Sequence, residues 1–250
     1  MKSRLGLLLL LSLALAAGCA KQPAAVPAAS TQPAAKAPKV PLAAQPTKPT
    51  AGAKRIAVTI DDGPALTYSV KAMDEAEKYG GHVTFFVTGQ RLGPDPQMIR
   101  LMQKRGHLIG NHTFNHVNLT TLPDEKIRAQ LGQTNDLIVA QGGAKPTFFR
   151  PPYGGHNARV DGVAAALGLR PVMWDIDPED WNQKNTGAHT VSYILSHAQP
   201  NKIVLIHQVH NTYLVLDQIF AGLHRQGFTV VRVDQLPKYA AAPPPPGRVP

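Results

Sequence analysis

Seven short apolar runs, each but the last followed by a segment with helical spacing, fill residues 54–240 and leave few folds open to this chain. The runs lie near Arg55–Ile60, His82–Thr88, His107–Gly110, Thr147–Arg150, Arg170–Asp175, Lys202–Ile206 and Phe228–Val233. Helical patterns fall between them, at Tyr68–Tyr79, Pro96–Arg105, Pro123–Gln141, Val160–Leu167, Thr190–Ala198 and Tyr213–Arg225. In the first of these, Tyr68, Ala72, Ala76 and Tyr79 share one face at about the 3.6-residue period. Gly80, Gly106, Gly142, Gly168 and Gly227 stand where helix exits are expected. Such alternation with short links implies a parallel sheet with helices outside it. This many strands suit a closed or nearly closed α/β barrel of the TIM kind, in a single domain; a doubly wound open sheet is the alternative. In a barrel the chemistry gathers at the C-terminal ends of the strands. Polar residues at those exits are therefore the candidates for function.

The flanks read differently. Lys2 and Arg4 precede an apolar run, Leu5 to Ala17, that ends in small residues and Cys19. Residues 1–19 have the layout of a secretory signal, and the run is short for a membrane span. The stretch Ala16-Ala17-Gly18-Cys19 resembles a bacterial lipobox, with Ala16 where Leu is preferred, so Cys19 is expected to be lipidated. Release by signal peptidase is the alternative. One lipid-modified terminus makes a protein anchored to a membrane, not spanning it. The implied location is the periplasmic face of a bacterial membrane, or otherwise the periplasm or the medium. Cys19 is the only cysteine, which excludes an intramolecular disulfide. Residues 20–53 are mostly Ala, Pro, Lys, Gln and Thr, too poor in large apolar side chains to offset ordering entropy, and are expected to form a disordered tether. Residues 241–250, with Pro243 to Pro246, read as a tail of the same kind.

The formal charge of +10 raises the question of nucleic acid. Lys2, Arg4, Lys21, Lys36, Lys39, Lys48 and Arg248 lie outside residues 54–240, whereas all 16 acidic residues lie inside. The folded segment thus has 19 basic against 16 acidic side chains and no basic stripe interleaved with aromatics. Nucleic acid is not an expected partner. The flanking charge suits weak, salt-sensitive attraction to an anionic wall or membrane.

The polar clusters sit at the strand exits. Ile56 to Ile60 run into Asp61 and Asp62, and Gly63-Pro64 then stops the strand. Adjacent residues leaving a strand point in different directions, so one carboxylate could hold a metal while the other faces a substrate. An Asp-rich turn is the plain alternative. Next come His112 and His116, four apart, on one helical face or a tight turn. Taken alone they could be solvated loop residues. With Asp62 they make a His₂-carboxylate set that leaves positions open and suits zinc or a similar divalent ion. Arg150-Pro151-Pro152-Tyr153-Gly154 follows another strand and is either a rigid loop aimed at the site or a proline turn. Trp174 to Trp181 carries four acids among both tryptophans of the chain. Ile203 to Ile206 is a buried-looking run that ends on His207, a place where a lone histidine is more often structural. Five polar clusters at five strand exits carry more weight than any one of them.

Read together, these stretches closely resemble the polysaccharide deacetylase family, carbohydrate esterase family 4, also called the NodB-homology domain. Thr59–Pro64 matches its first motif, with Ile60 where Phe is usual, and His112–His116 the second. Arg150–Tyr153 matches the third, Asp177–Trp181 the fourth and Leu205–His207 the fifth, in the family's order. The resemblance covers residues 54–236, nearly all of the expected catalytic domain at 54–240, and implies a deformed (β/α) barrel. It also implies roles. Asp62, His112 and His116 hold one divalent metal, zinc first, with cobalt, nickel or manganese able to use the same set. Asp61 is the general base and Arg150 its orienting partner. The backbone N–H of Tyr153 serves the oxyanion. His207 is the general acid, kept charged by a carboxylate, Asp180 first and Asp177 second. Trp181, Tyr153 and Phe114 wall a groove for a sugar ring.

The implied activity is removal of acetyl groups from N-acetylglucosamine-type residues of a cell-envelope or exported polysaccharide, such as peptidoglycan, a chitin-like oligomer or poly-N-acetylglucosamine. An O-acetyl esterase acting on acetylxylan could use the same site. A catalytically silent carbohydrate-binding protein is the reading from another class, and the intact Asp61, Asp62, His112, His116 and His207 argue against it. Of the other polar residues, His156 is left without a role, His210 is read as a loop residue, and Asp175 as structural. His82 and His107 open strands, at the wrong end for the chemistry.

Overall fold

A computed structural model describes residues 54–93 and 96–240. The expected signal, Cys19, the tether and the tail lie outside the described residues. Seven parallel strands form one sheet: β1 Lys54–Gly63, β2 Thr84–Val87, β3 Leu108–Asn111, β4 Phe148–Phe149, β5 Arg170–Pro171, β6 Ile203–His207 and β7 Phe228–Val231. Their order is β5-β4-β3-β2-β1-β6, with β7 also paired to β1. A lone bridge between Ile176, just past β5, and Val204 of β6 closes the ring. The result is the deformed (β/α) barrel, and the open doubly wound sheet is set aside. The longest strand, β1, serves three neighbours: β7 along Lys54–Ala57, β6 along Ala57–Asp61, and β2 from Thr59 onward.

Eight α-helices accompany the strands among the described residues: α1 Leu66–Glu77, α2 Gln97–Lys104, α3 Asp124–Ala140, α4 Ala158–Ala166, α5 Gly187–His197, α6 His210–Tyr213, α7 Leu216–Arg225 and α8 Pro237–Ala240. Their starts have local causes. Asn157 accepts the N–H of Val160 at the head of α4, and Thr186 accepts that of His189 at the head of α5. Gly106 (φ 83°) and Gly168 (φ 79°) take the left-handed conformation that turns the chain from a helix toward the next strand.

The two-residue period of β1 divides its side chains. Ile56, Val58 and Ile60 join a large apolar cluster with Ala72 and Met73 of α1 and Ile219, Phe220 and Leu223 of α7. Ala57 points the other way, into a smaller cluster with Phe86, Phe148, Val172 and Val231. Thr59 and Asp61 follow Ala57 on that inner side. Truncating an outer-face residue such as Ile60 to Ala would cost roughly 2–5 kcal/mol. The barrel thus anchors, from one strand, both its hydrophobic seal and its first functional carboxylate.

Three expectations need correction. The strands expected over Thr147–Arg150 and Arg170–Asp175 are only two residues long. Past β5 the Arg150 guanidinium takes the carbonyls that a longer ladder would use, those of Val172 (3.0 Å from Nε) and Met173 (3.2 Å from Nη2). The helix expected over Tyr213–Arg225 is broken at Val215 (φ −119°, ψ 9°), between α6 and α7. His210 begins α6 and is not in a loop.

Candidate active site

Arg150 is the largest fully buried side chain of the barrel, and it organises one side of the site. Its Nη1 donates to Asp61 Oδ1 at 2.8 Å and to Thr59 Oγ1 at 2.7 Å. The Thr59 hydroxyl in turn donates to the Val204 carbonyl at 2.6 Å. The guanidinium lies over Phe86, 4.4 Å from the ring centroid, and beside Trp174 at 5.6 Å. Burial pushes the pKa of Arg150 down, and the charge of Asp61 and their hydrogen bond work against that push. A buried guanidinium is tolerable only when its donors are matched in this way. The inward alternation of β1 thus delivers Asp61 to a fixed partner, with Oδ1 occupied and Oδ2 turned toward His112, whose Nε2 is 3.5 Å away.

Asp62 breaks the alternation. Its φ is 66°, and the β1–β2 register shifts between Asp61 and Gly63. The side chain of Asp62 is 35% exposed where that of Asp61 is 3% exposed. The backbone kink lifts Asp62 out of the barrel and sets Oδ1 at 3.6 Å from His112 Nε2 and 3.4 Å from His116 Nε2.

The two histidines come from a tight turn after β3. Thr113 (φ 67°) and His116 (φ 60°) are left-handed, a costly geometry for non-glycine residues. Side chains hold it. Asn111 Oδ1 accepts the Thr113 N–H at 2.7 Å, while its Nδ2 donates to Leu131 O and Asn135 Oδ1. Thr113 Oγ1 accepts the His116 N–H at 3.1 Å. His112 Nδ1 lies 2.7 Å from the Arg150 carbonyl, so Nδ1 carries the proton and Nε2 presents its lone pair to Asp62. Burial, then the neighbouring His112, lower the pKa of His116 and favour the neutral ring. One ligand atom from each of Asp62, His112 and His116 lies within 4.8 Å of the others. One carboxylate and two imidazoles with ligand atoms this close fit a divalent cation.

The opposite side is built on β6 and the loop after β5. His207 Nδ1 is 2.8 Å from Asp180 Oδ1, and the His207 backbone N–H donates to Asp180 Oδ2, also at 2.8 Å. Burial works to lower the pKa of His207, but the bond and charge of Asp180, with the charges of Asp61 and Asp62, raise it on balance. Asp177 is engaged elsewhere: it accepts the Glu179 N–H at 2.8 Å and borders the cleft, and burial raises its pKa. The structure therefore places Asp180, not Asp177, on His207.

A cleft of about 430 Å³ joins the two sides and is bordered by Asp61, Asp62, His112, His116, Asp177 and His207. Pro151, Tyr153, Trp174, Trp181 and Leu205 complete the wall. Tyr153 (φ 58°) is 73% exposed and meets His116 edge to face at 4.7 Å; Trp181 is 54% exposed. Phe114 is not in the wall. It packs toward Gly89, where an added Cβ would lie 2.5 Å from its ring. Trp174 lines the cleft beside Arg150, a role that the sequence does not give it. Thr59 and Thr212 also touch the site through Arg150 and Asp180. His156 pairs with Asp161 at 3.0 Å, and Asp175 accepts from Lys202 and the Ile203 N–H.

The model of the polysaccharide deacetylase family matches residues 48–172. The peptidoglycan-N-acetylmuramic acid deacetylase PdaC of Bacillus subtilis is 37% identical over 184 residues, which are 73% of this chain and 38% of that protein. A peptidoglycan-N-acetylglucosamine deacetylase of Bacillus cereus is 34% identical over 198 residues, covering 74% of this chain and 89% of its own length. The solved structure of PdaC is similar with a TM-score of 0.70 at 35% identity, covering 76% of this chain and 92% of that one. The chain spans about two fifths of the length of the first curated relatives it matches.

Proposed function

We propose that this chain, which belongs to the polysaccharide deacetylase family, hydrolyses the acetamide of N-acetylated sugars in a cell-envelope polysaccharide, with peptidoglycan first. The observation that carries the reading is one cleft holding three units: Asp61 on Arg150, the Asp62–His112–His116 set, and His207 on Asp180. The names of the relatives support the substrate class.

Asp62, His112 and His116 would hold the divalent ion, with zinc the first choice for two imidazoles and a carboxylate. A cation there supplies Lewis acidity, polarising the acetyl carbonyl and lowering the pKa of water. The chain's own groups do the rest. Arg150 fixes Asp61 Oδ1, so Oδ2 is the oxygen that takes the proton from the attacking water. As the new C–O bond forms, negative charge gathers on the carbonyl oxygen, and the backbone N–H of Tyr153 donates to it. One preorganised donor of this type lowers a barrier by roughly 3 kcal/mol. His207, its Nδ1–H held by Asp180, gives the proton on Nε2 to the departing nitrogen. The C–N bond breaks, leaving acetate and a free amine on the sugar. Trp181 and Tyr153 offer exposed faces on which a pyranose ring can stack.

The proposed chain layout is an exported protein: a lipoprotein-type signal over 1–19 with Cys19 lipidated, a tether over 20–53, the catalytic domain over 54–240 and a short tail over 241–250. The test of function is acetate release by purified, metal-loaded protein from peptidoglycan, N-acetylglucosamine oligomers and acetylxylan. Release from the first or second supports the reading. Release from acetylxylan alone replaces it with an O-acetyl esterase, and binding of oligomers without release replaces it with a carbohydrate-binding protein.

A further inference from the structure

Besides His207, Asp180 has a second side-chain partner, a hydroxyl that the mechanism above does not use. Thr212 is fully buried, and its Oγ1 donates to Asp180 Oδ2 at 2.6 Å, the short distance of a hydroxyl bonded to a carboxylate. The same Oδ2 accepts the His207 backbone N–H at 2.8 Å, while Oδ1 faces His207 Nδ1 at 2.8 Å. Three donors therefore fix the carboxylate plane. Tyr68, whose buried hydroxyl is near enough to feel the charge of Asp180, makes no bond to it.

Thr212 lies in α6, and α6 is itself fastened to the loop that carries Asp180. Asn211 Nδ2 donates to the Asn185 carbonyl at 3.1 Å. A Cβ added to Gly187 would stand 2.8 Å from the Asn211 carbonyl and 2.7 Å from Val215, so only glycine lets the two segments approach this closely. On the far side Tyr213 meets Tyr68 of α1 at 6.1 Å. The four-residue α6 clamps the loop after β5 to the exit of β6, and the Thr212–Asp180 bond is the point where the clamp reaches the proton donor.

We propose that Thr212 is a positioning residue for the acid step, holding the Asp180 carboxylate in the plane that keeps His207 Nε2 aimed at the leaving nitrogen. The inference rests on the deacetylase reading for its kinetic part only. Without the hydroxyl, Asp180 loses one of three constraints, and His207 gains a rotational freedom that substrate binding does not sense.

The experiment compares Thr212→Val, which keeps shape, with Thr212→Ser, which keeps the hydroxyl, alone and with Asp180→Asn. Kinetics on N-acetylglucosamine oligomers are read beside bound-metal content, thermal melting and the downfield proton NMR signal of His207 Nδ1–H, identified by its loss in His207→Ala. Thr212→Val should lower kcat roughly tenfold, the worth of one charge-assisted hydrogen bond, with KM and metal content unchanged. Thr212→Ser should restore most of that turnover, and Thr212→Val should add little to Asp180→Asn. The NMR signal should shift or broaden in Thr212→Val and return in Thr212→Ser. Wild-type kcat in Thr212→Val, equal losses in the Val and Ser variants, or full additivity with Asp180→Asn would each overturn the proposal. If the wild-type protein releases no acetate from any N-acetylated substrate, the functional reading falls, and the NMR signal alone decides Thr212: unchanged in Thr212→Val, it too rejects the role.

Discussion

Arg150 Nη1 stands 2.8 Å from Asp61 Oδ1, and the two side chains are 0% and 3% exposed. A pair this deeply buried has given up its hydration, so each member depends on the other.

Asp61→Asn should therefore do two things at once. The amide oxygen can still accept from Arg150, but the counter-charge is gone. Acetate release should fall at least about a hundredfold, the usual worth of a general base. Stability should fall as well, by up to roughly 3–5 kcal/mol if no water reaches the guanidinium. Steady-state kinetics and thermal melts read the two effects separately, and metal content should hold. Wild-type turnover would remove Asp61 from the base role.

The metal set gives a separate expectation. His112→Ala deletes the ring whose Nδ1–H is tied to the Arg150 carbonyl and whose Nε2 faces Asp62. Metal content by elemental analysis should drop below one ion per chain, while the melting curve stays cooperative. Chelation of the wild-type protein should abolish acetate release, and added zinc should restore it. Stoichiometric metal with normal activity in His112→Ala would refute the proposed ligand set.

Gly110 offers a test of the barrel interior. A Cβ there would lie 2.5 Å from the Phe86 ring, which itself packs on the Arg150 guanidinium. Gly110→Ala should displace that ring, cost about 1–3 kcal/mol as an overpacked core, and lower activity through Arg150. Urea unfolding together with kinetics checks this. Lost stability with unchanged kcat would show that the Phe86 face is not needed to hold Arg150.

At the other end of the barrel, His107 accepts the Val83 N–H on Nδ1 at 3.1 Å, so Nε2 carries the proton toward Glu77 at 2.9 Å. Burial pushes the carboxyl of Glu77 up, but the bonds from His107 and Arg105 outweigh it and bring its pKa down from 4.5 to about 2. Burial likewise lowers His107 below its ordinary 6.5, and Glu77 only partly opposes it. Both signs run the same way. In each case the unfolded chain takes up the proton first, so stability is present at neutral pH and is lost on acidification. The His107 contribution fades as pH falls below 6.5, and that of Glu77 as pH falls from 4.5 toward 2. Glu77→Gln removes the carboxyl's own titration but also the charge that opposes burial at His107, so relative to wild type it should lose less stability between pH 4.5 and about pH 3 and more just below pH 6.5. Equal losses would show that this cluster does not set the acid limit.

The barrel is legible in the sequence because its signal is periodic. Ile56, Val58 and Ile60 alternate with Ala57, Thr59 and Asp61, and that rhythm already implies that Asp61 faces inward. The separation of Asp62 from Asp61 is legible only as a divergence, because the left-handed turn at Asp62 has no sequence mark beyond Gly63-Pro64. The lengths of β4 and β5 are not legible. Propensity extends a strand through Val172 and Met173, and nothing local says that Arg150 will take their carbonyls. Phe114 is a wall residue only by the family resemblance, and the turn through Asn111 and Thr113 carries it toward Gly89. Thr212 carries no local mark because its partner lies 32 residues away in a different loop. Local pattern reveals faces and exits; bonds between distant loops need the fold.

The ring of strands closes on the single bridge from Ile176 to Val204, and Asp180 and His207 lie on either side of that closure. Most neighbouring strands are laced by ladders, though β3 and β4 pair only at Asn111 and Phe149, whereas here Asp175 and Ile176 both lean on the Ile203 carbonyl and Leu205 on that of Ile176. The barrel has a zip at this edge, and His207 is its slider. Any breathing of the fold that parts the edge also draws His207 away from Asp180.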